Sequence, residues 1–259
     1  MARVKVVVPW HNSEQLGKFM DAWNVNESSP QFVFQQDKSR AGCAKTKNAG
    51  VAKAIEGGAE IIIVLDDDCF PQWSALYDIN ALIAEHVAAL QPQPVRMFET
   101  VTTPASRGTP YFNRTIKMPV AASMGYWVGI GDYDAPGQLV HGATKPMKFK
   151  QRSIHGRYFP LCGMNLAFRA EEWPWCKFID VPRFDDIWQG FLWQRKAYAE
   201  GKCFNLNGPL VRHSRQSNVW QNLRDEAQNL ERNETIWETI AGMPLTTHQE
   251  MLAELGLTT

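Results

Sequence analysis

The chain has 259 residues, 44% of them apolar, enough for one large domain or two small ones around a sizeable core. Its 27 basic and 27 acidic residues cancel, which argues against a general coat for polyanions. Five cysteines (Cys43, Cys69, Cys162, Cys176, Cys203) form no CxxC pair, so a reducing compartment is expected rather than a disulfide framework or a zinc site. The N-terminal Met-Ala-Arg-Val-Lys lacks a signal-peptide pattern, and no apolar run approaches the roughly 18 residues that span a bilayer. A soluble, cytoplasmic protein without a membrane partner is the expectation.

Val4 to Pro9 is a β-branched run that reads as a buried first strand. Asn12, with Gln15 three residues on, suggests a capping box, and Leu16, Phe19, Met20 and Trp23 then recur at helical spacing. Phe32 to Phe34 reads as a second strand. Ala41 to Glu56 is an alanine-rich helix stopped by Gly57-Gly58. Ile61 to Leu65 is five apolar residues in a row, the mark of a strand covered on both faces. This alternation predicts an α/β fold built on a parallel sheet. Further strands are expected over Val95–Thr100, Met164–Phe168 and Leu206–His213, and a helix over Ile187–Glu200. From about Asn218 the chain should be mostly helical, with Thr247 and Glu250 capping a last helix.

Charge is unevenly spread. From Thr100 to Ala170 nine Lys and Arg face only Asp132 and Asp134, a local excess that suits a phosphate-bearing ligand as well as it suits a solvated face.

Asp66-Asp67-Asp68 follows the all-apolar strand, where parallel α/β sheets bind ligands. In extended chain Asp66 and Asp68 point to one side. At ~5 Å and an effective dielectric near 20 their repulsion costs on the order of 3 kcal/mol. A divalent cation relieves it, and hard oxygen ligands favour Mg²⁺ or Mn²⁺, which accept diphosphate oxygens as well. The bland alternative is an acidic turn. Asp185-Asp186 stands where a helix begins; the helix dipole accounts for such a pair, and so does a base or an acceptor for a sugar hydroxyl. His213 ends a predicted strand, either as a structural histidine or as a further metal ligand. Lys47 either faces solvent or reaches a diphosphate. Asp134 lies in a polar turn, and Asn165 in a strand entered through Gly163.

Taken together, five segments resemble the reversibly glycosylated polypeptides, the plant UDP-arabinopyranose mutases. They are Asp66–Phe70, Asp132–Val140, Pro160–Phe168, Arg183–Gly190 and His213–Asn218, in matching order and spacing. The resemblance implies a GT-A-like glycosyltransferase fold, with a mostly parallel central sheet flanked by helices and a helical C-terminal tail. It implies a catalytic domain over residues 1–226 and a helical extension over 227–259 that packs on it. It also implies a UDP-sugar donor with Mn²⁺ or Mg²⁺. Asp66, Asp68 and His213 would then hold the metal. Pro9, Trp10, Asn12, Asp37, Lys47, Asp66, Asp67, Asp134 and Asn165 would bind the nucleotide sugar. Asp185, Asp186 and Arg114 would be catalytic, Arg114 as the nearest counterpart of the family's glycosylated arginine. The leading function is a glycosyltransferase that moves a sugar from a UDP-sugar to a separate acceptor, for which a nucleic acid bound through the basic 100–170 stretch, such as a hydroxymethylated pyrimidine in viral DNA, is one candidate; the alternatives are a UDP-arabinopyranose mutase and a non-catalytic binding protein.

Overall fold

The computed structural model describes residues 2–38, 42–72, 77–98, 107, 109–110, 114–142, 150–214 and 218–259. Strand β1 (Val4–Trp10) carries Val6, Val7 and Val8 without solvent exposure, and helix α1 (Ser13–Trp23) lays Leu16, Phe19 and Trp23 into the core. Asn12 caps α1 by accepting from the amides of Glu14 and Gln15. The expected capping box forms only in this half, because the Gln15 amide donates instead to the Asp67 carbonyl at 2.9 Å. After β2 (Phe32–Gln36), helix α2 (Cys43–Glu56) sits tightly on β1: a Cβ at Gly50 would lie 2.5 Å from Val7 Cγ1. Strand β3 (Ile61–Leu65) is buried along its whole length.

The chain continues through β4 (Cys69–Phe70), α3 (Ile79–Ala89), β5 (Gln93–Arg96), β6 (Thr115–Met118), β7 (Val120–Met124), β8 (Tyr126–Gly129) and α4 (Ala135–His141). Then follow β9 (Ser153–Ile154), β10 (Asn165–Arg169), a 3-10 helix (Ala170–Trp175), α5 (Asp185–Ala199), β11 (Cys203–Asn205), β12 (Leu210–His213), α6 (Val219–Gly242) and α7 (His248–Glu254). The Thr247–Glu250 capping box forms as expected. The expected strand over Val95–Thr100 is only β5, with 99–100 outside the described residues.

The central sheet runs β2-β1-β3-β10-β7-β11-β9. Strands β2, β1 and β3 are parallel, as are β7 and β11. Strand β10 is antiparallel to both β3 and β7, and β9 to β11. The α/β class with flanking helices and a helical C-terminal end is the one the sequence predicts. The run expected as one strand from Leu206 to His213 is broken, because β12 leaves the central sheet to join β4 and β8. The crossing is made at Gly208, where a Cβ would meet the Gly125 nitrogen at 2.8 Å.

Two hydrophobic clusters result. The larger surrounds the central sheet. The smaller joins Phe184, Trp188 and Leu192 to Ile236 and Ile240 of α6 and to Met251 and Leu252 of α7. The expected boundary between residues 226 and 227 falls inside the continuous helix α6, so the tail and the preceding chain share one element. No helix among the described residues is long and apolar enough to cross a membrane.

Candidate nucleotide-sugar site

The acidic triplet forms the turn between β3 and β4. The Asp66 amide bonds the Met164 carbonyl, and the Cys69 amide bonds the Asp66 carbonyl, both at 3.0 Å. Helix α1 pins this turn from behind through Gln15 to the Asp67 carbonyl and Trp23 Nε1 to the Cys69 carbonyl. The backbone is therefore fixed, and the carboxylates are left to face the cavities beyond the sheet.

Asp66 and Asp68 both line a cavity of about 810 Å³. They do not act alike. The Lys47 ammonium, 3% exposed, stands 3.0 Å from Asp66 Oδ1, bonds the Gly163 carbonyl and lies over the Phe178 ring. Burial pushes the Asp66 carboxyl up to about 6, against the pull of Lys47 and with the repulsion of Asp68. Asp68 instead faces His213, whose Nε2 lies 3.6 Å from Asp68 Oδ2. Pairing of β12 with β4 sets His213 opposite Cys69 and so beside the triplet. His213 Nδ1 is 2.9 Å from the Ile130 carbonyl, a partner that can only accept, so Nδ1 carries a proton. Burial draws the imidazole pKa down, but the Asp68 carboxylate outweighs it and the net value rises to about 9.

The expectation of three metal donors together is not met. Among the described residues no group of three His, Cys, Asp or Glu side chains is gathered as a metal site, and Asp66 is engaged by Lys47. Asp68 and His213 remain side by side. Their chemistry fits a hard or borderline divalent cation: a carboxylate oxygen and an imidazole oriented through its other nitrogen by a backbone carbonyl.

Asp185 and Asp186 open α5 on another wall of the same cavity. Asp186 Oδ2 accepts from the Gly163 amide at 2.7 Å, and burial with the neighbouring Asp185 pushes its pKa up to about 7. Burial also raises Asp185, while Lys47 and Arg183 hold it back. Asp185 Oδ2 is a buried atom with no hydrogen-bond partner among the described residues. Asp134 lines the cavity too, but its carboxylate caps α4 by accepting from the Gly137 amide.

A second cavity of about 180 Å³ adjoins the triplet, lined by Pro9, Trp10, His11, Asp37, Cys43, Thr46 and Asp66 to Asp68. Trp10 Nε1 is buried beside it without a hydrogen-bond partner among the described residues. Pro9, Trp10, Asp37 and Asp67 line this cavity together, whereas Asn12 lines neither cavity and caps α1.

Two other candidate residues lie away from both cavities. Asn165 is 1% exposed and lines neither cavity; its amide bonds His86, the Tyr126 carbonyl and the Pro209 carbonyl, tying α3 and β10 to the start of β8 and the loop ahead of β12. Arg114 also lines neither cavity; it precedes β6, donates to the Pro110 carbonyl, and its own carbonyl accepts from the amides of Met97 and Phe98. Of the basic stretch, Lys150 and Arg152 line the main cavity, while Lys145 and Lys148 lie outside the described residues, as do 215–217 of the last matching segment. Sequence reasoning missed the wall supplied by α6. Asn218, Asn222 and Glu226 recur every four residues, which sets three polar side chains on one helix face, and all three line the cavity.

A sequence model described as "Reversibly glycosylated polypeptide" matches residues 57–255, which is more than half of the chain. The chain belongs to the reversibly glycosylated polypeptide family. Among its relatives are the probable UDP-arabinopyranose mutase 4 of Arabidopsis thaliana, 31% identical over 74% of this chain and 57% of that protein, and UDP-arabinopyranose mutase 3 of the same plant, 32% identical over 64% and 50%. The probable UDP-arabinopyranose mutase 1 of Pisum sativum is 32% identical over 65% of this chain and 51% of that protein. The chain spans about half the length of these curated relatives. The solved glucosyl-3-phosphoglycerate synthase of Mycobacterium tuberculosis, in complex with Mn²⁺, UDP and glucosyl-3-phosphoglycerate, aligns with 95% of this chain and 82% of its own at 12% identity and a TM-score of 0.49.

Proposed function

We propose that this member of the reversibly glycosylated polypeptide family is a UDP-sugar enzyme of the UDP-arabinopyranose mutase type. The observation that carries the reading is the acidic turn at the end of β3, open on one side to the small cavity beside Trp10 and on the other to the large cavity with Lys47 and His213. The nucleoside fits the small cavity, where the buried Trp10 Nε1 needs an acceptor. The sugar then extends past the triplet towards Asp185 and Asp186. A divalent ion, Mn²⁺ or Mg²⁺, held by Asp68 and His213 would neutralise the leaving diphosphate. Lys47 adds a fixed positive charge that is itself buried, which strengthens its electrostatic effect. Asp186, raised to about 7 by burial and by Asp185, is poised to take or give a proton at a sugar hydroxyl near neutral pH.

Interconversion of the pyranose and furanose forms of UDP-arabinose is a balanced isomerisation that gains and loses no atoms. Incubation of the chain with UDP-arabinopyranose and Mn²⁺, followed by chromatography of the ring forms, should yield the furanose. Absence of furanose from the pyranose, and of pyranose from the furanose, overturns the mutase reading.

A second reading, transfer of the sugar to a separate acceptor, is favoured by the cavity volume of about 810 Å³ and by Arg114 lying outside it. Lys150 and Arg152 on its wall suit an anionic acceptor, nucleic acid among them. Under this reading UDP release accelerates when acceptor is added, and a nucleic-acid acceptor binds with an affinity that falls steeply with salt. No retention on single- or double-stranded DNA at low salt excludes that acceptor.

A further inference from the structure

The residue ahead of the Asp185–Asp186 pair departs from ordinary backbone geometry. Arg183 adopts a left-handed conformation with φ +66°, one of two non-glycine residues to do so among the described residues; the other, Asn24, ends a helix. Asparagine tolerates that region, whereas an arginine there costs roughly 1–2 kcal/mol per residue. The surrounding fold therefore holds Arg183 in place.

What holds it is Glu226. This carboxylate is 1% exposed, yet it lines the main cavity. Its Oε1 accepts from Arg183 Nε at 3.0 Å, and its Oε2 accepts from the Ala135 amide at 2.7 Å. One side chain of α6 thus fastens the entry to α5 and the start of α4. Both Glu226 oxygens are occupied, so Glu226 itself has little left for a ligand. Arg183 differs. Its Nε is used, while its two Nη groups make no hydrogen bond to the described residues, and the side chain is about one-third exposed on the cavity wall. Two positions along is Asp185, whose buried Oδ2 has no hydrogen-bond partner among the described residues.

A donor fork and an orphaned acceptor on one wall match a ligand that both accepts and donates, which is the character of adjacent sugar hydroxyls. An anion alone would satisfy Arg183 and be repelled by Asp185. Neither residue lines the small cavity beside Trp10, so the group they meet is remote from the nucleoside. We infer that Arg183 is a specificity-determining residue that donates to hydroxyls of the sugar of the bound nucleotide sugar, opposite Asp185, and that Glu226 is its positioning residue. The inference rests on the nucleotide-sugar reading above.

The test compares UDP with UDP-arabinopyranose by calorimetry in the presence of Mn²⁺. Wild type should bind both. Arg183→Gln and Glu226→Gln should leave the UDP dissociation constant within about twofold and weaken UDP-arabinopyranose about tenfold, as loss of a charge-assisted bond implies; Arg183→Lys should fall between. A general loss of structure moves both ligands together and leaves their ratio unchanged. Equal weakening of both ligands in variants that keep the wild-type melt, or no change in either, overturns the proposal. Because Arg183 is partly exposed, its variants keep the test open should Glu226→Gln not fold. Failure of wild type to bind UDP at all is a separate result: it removes the nucleotide-sugar reading, and the sugar contact with it.

Discussion

At the scale of single residues, the proposed function gives two carboxylates of the acidic triplet different parts, Asp66 as the partner of buried Lys47 and Asp68 as the proposed metal ligand beside His213. Asp66 compensates Lys47, a cation with 3% exposure, so removing its charge leaves an ammonium buried without its counter-ion. Asp66→Asn leaves that ammonium to the fields of Asp185 and Asp186 alone, partly offset by relief of a buried carboxylate already raised to about 6; the urea midpoint should fall by more than in Asp68→Asn. Asp68→Asn should cost about 1 kcal/mol, as for a pair whose partner His213 can lose its proton, yet lower turnover about 10–100-fold through weakened metal binding. Equal stability losses in the two variants, or unchanged turnover in the second, would contradict this division. The sequence shows the triplet because an all-apolar strand ends on it. It does not show the division, because Lys47 approaches from a helix nineteen residues earlier and nothing in the local pattern says which carboxylate it meets. Gln15 and Asn165 are misread for the same reason: an amide's local role, cap or ligand contact, yields to partners brought by tertiary packing, the Asp67 carbonyl for one and His86 for the other.

At the scale of elements, helical periodicity locates α1, α2 and α5 to within a few residues, since an apolar stripe and its caps are local signals. Strand direction is not local: Leu166 to Phe168 of β10 is as apolar and buried as β3, and nothing in its composition shows that it runs antiparallel. What joins these elements is also hidden. His86 of α3 is fully buried between Ser123 of β7 and Asn165 of β10, at 3.0 and 2.9 Å, and burial pulls its pKa down to about 4. The folded state therefore refuses a proton that the unfolded chain takes up near pH 6.5. The stability this provides is full above that pH and is lost as pH falls towards 4. From pH 7 to pH 5 the loss is about 2 kcal/mol. Asp66 and Asp186, raised to about 6 and about 7, act in the opposite sense, since their stabilising share is present at low pH and lost as pH rises through those values. They remain in a His86→Gln variant and cancel in the comparison. The drop in unfolding free energy between pH 7 and pH 5 should be about 2 kcal/mol smaller in His86→Gln than in wild type. Equal drops would mean that His86 charges in the folded protein.

At the scale of the whole molecule, the C-terminal helices are part of the site's construction. A chain ending at residue 226 would keep eight residues of α6, fewer than the ~12–15 at which an isolated helix becomes even marginally stable in water. It would lose Ile236, Ile240, Met243, Met251, Leu252 and Leu255, all buried in the cluster that also holds Phe184, Trp188 and Leu192. At about 1.5–3 kcal/mol for each buried side chain, that is on the order of 10 kcal/mol or more, against a usual total of about 5–15 kcal/mol for a domain. The consequence reaches the cavity, because Glu226 holds Arg183 and the start of α4 from the middle of the same helix. The truncated chain should therefore show no cooperative melt and no UDP binding, measured by circular dichroism and calorimetry beside the full chain. A sharp melt with UDP affinity retained would support the boundary expected after residue 226 and make α6 a dispensable cover. The polar repeat of Asn218, Asn222 and Glu226 argues otherwise: a detachable helix would have no reason to bury a carboxylate against the start of two others.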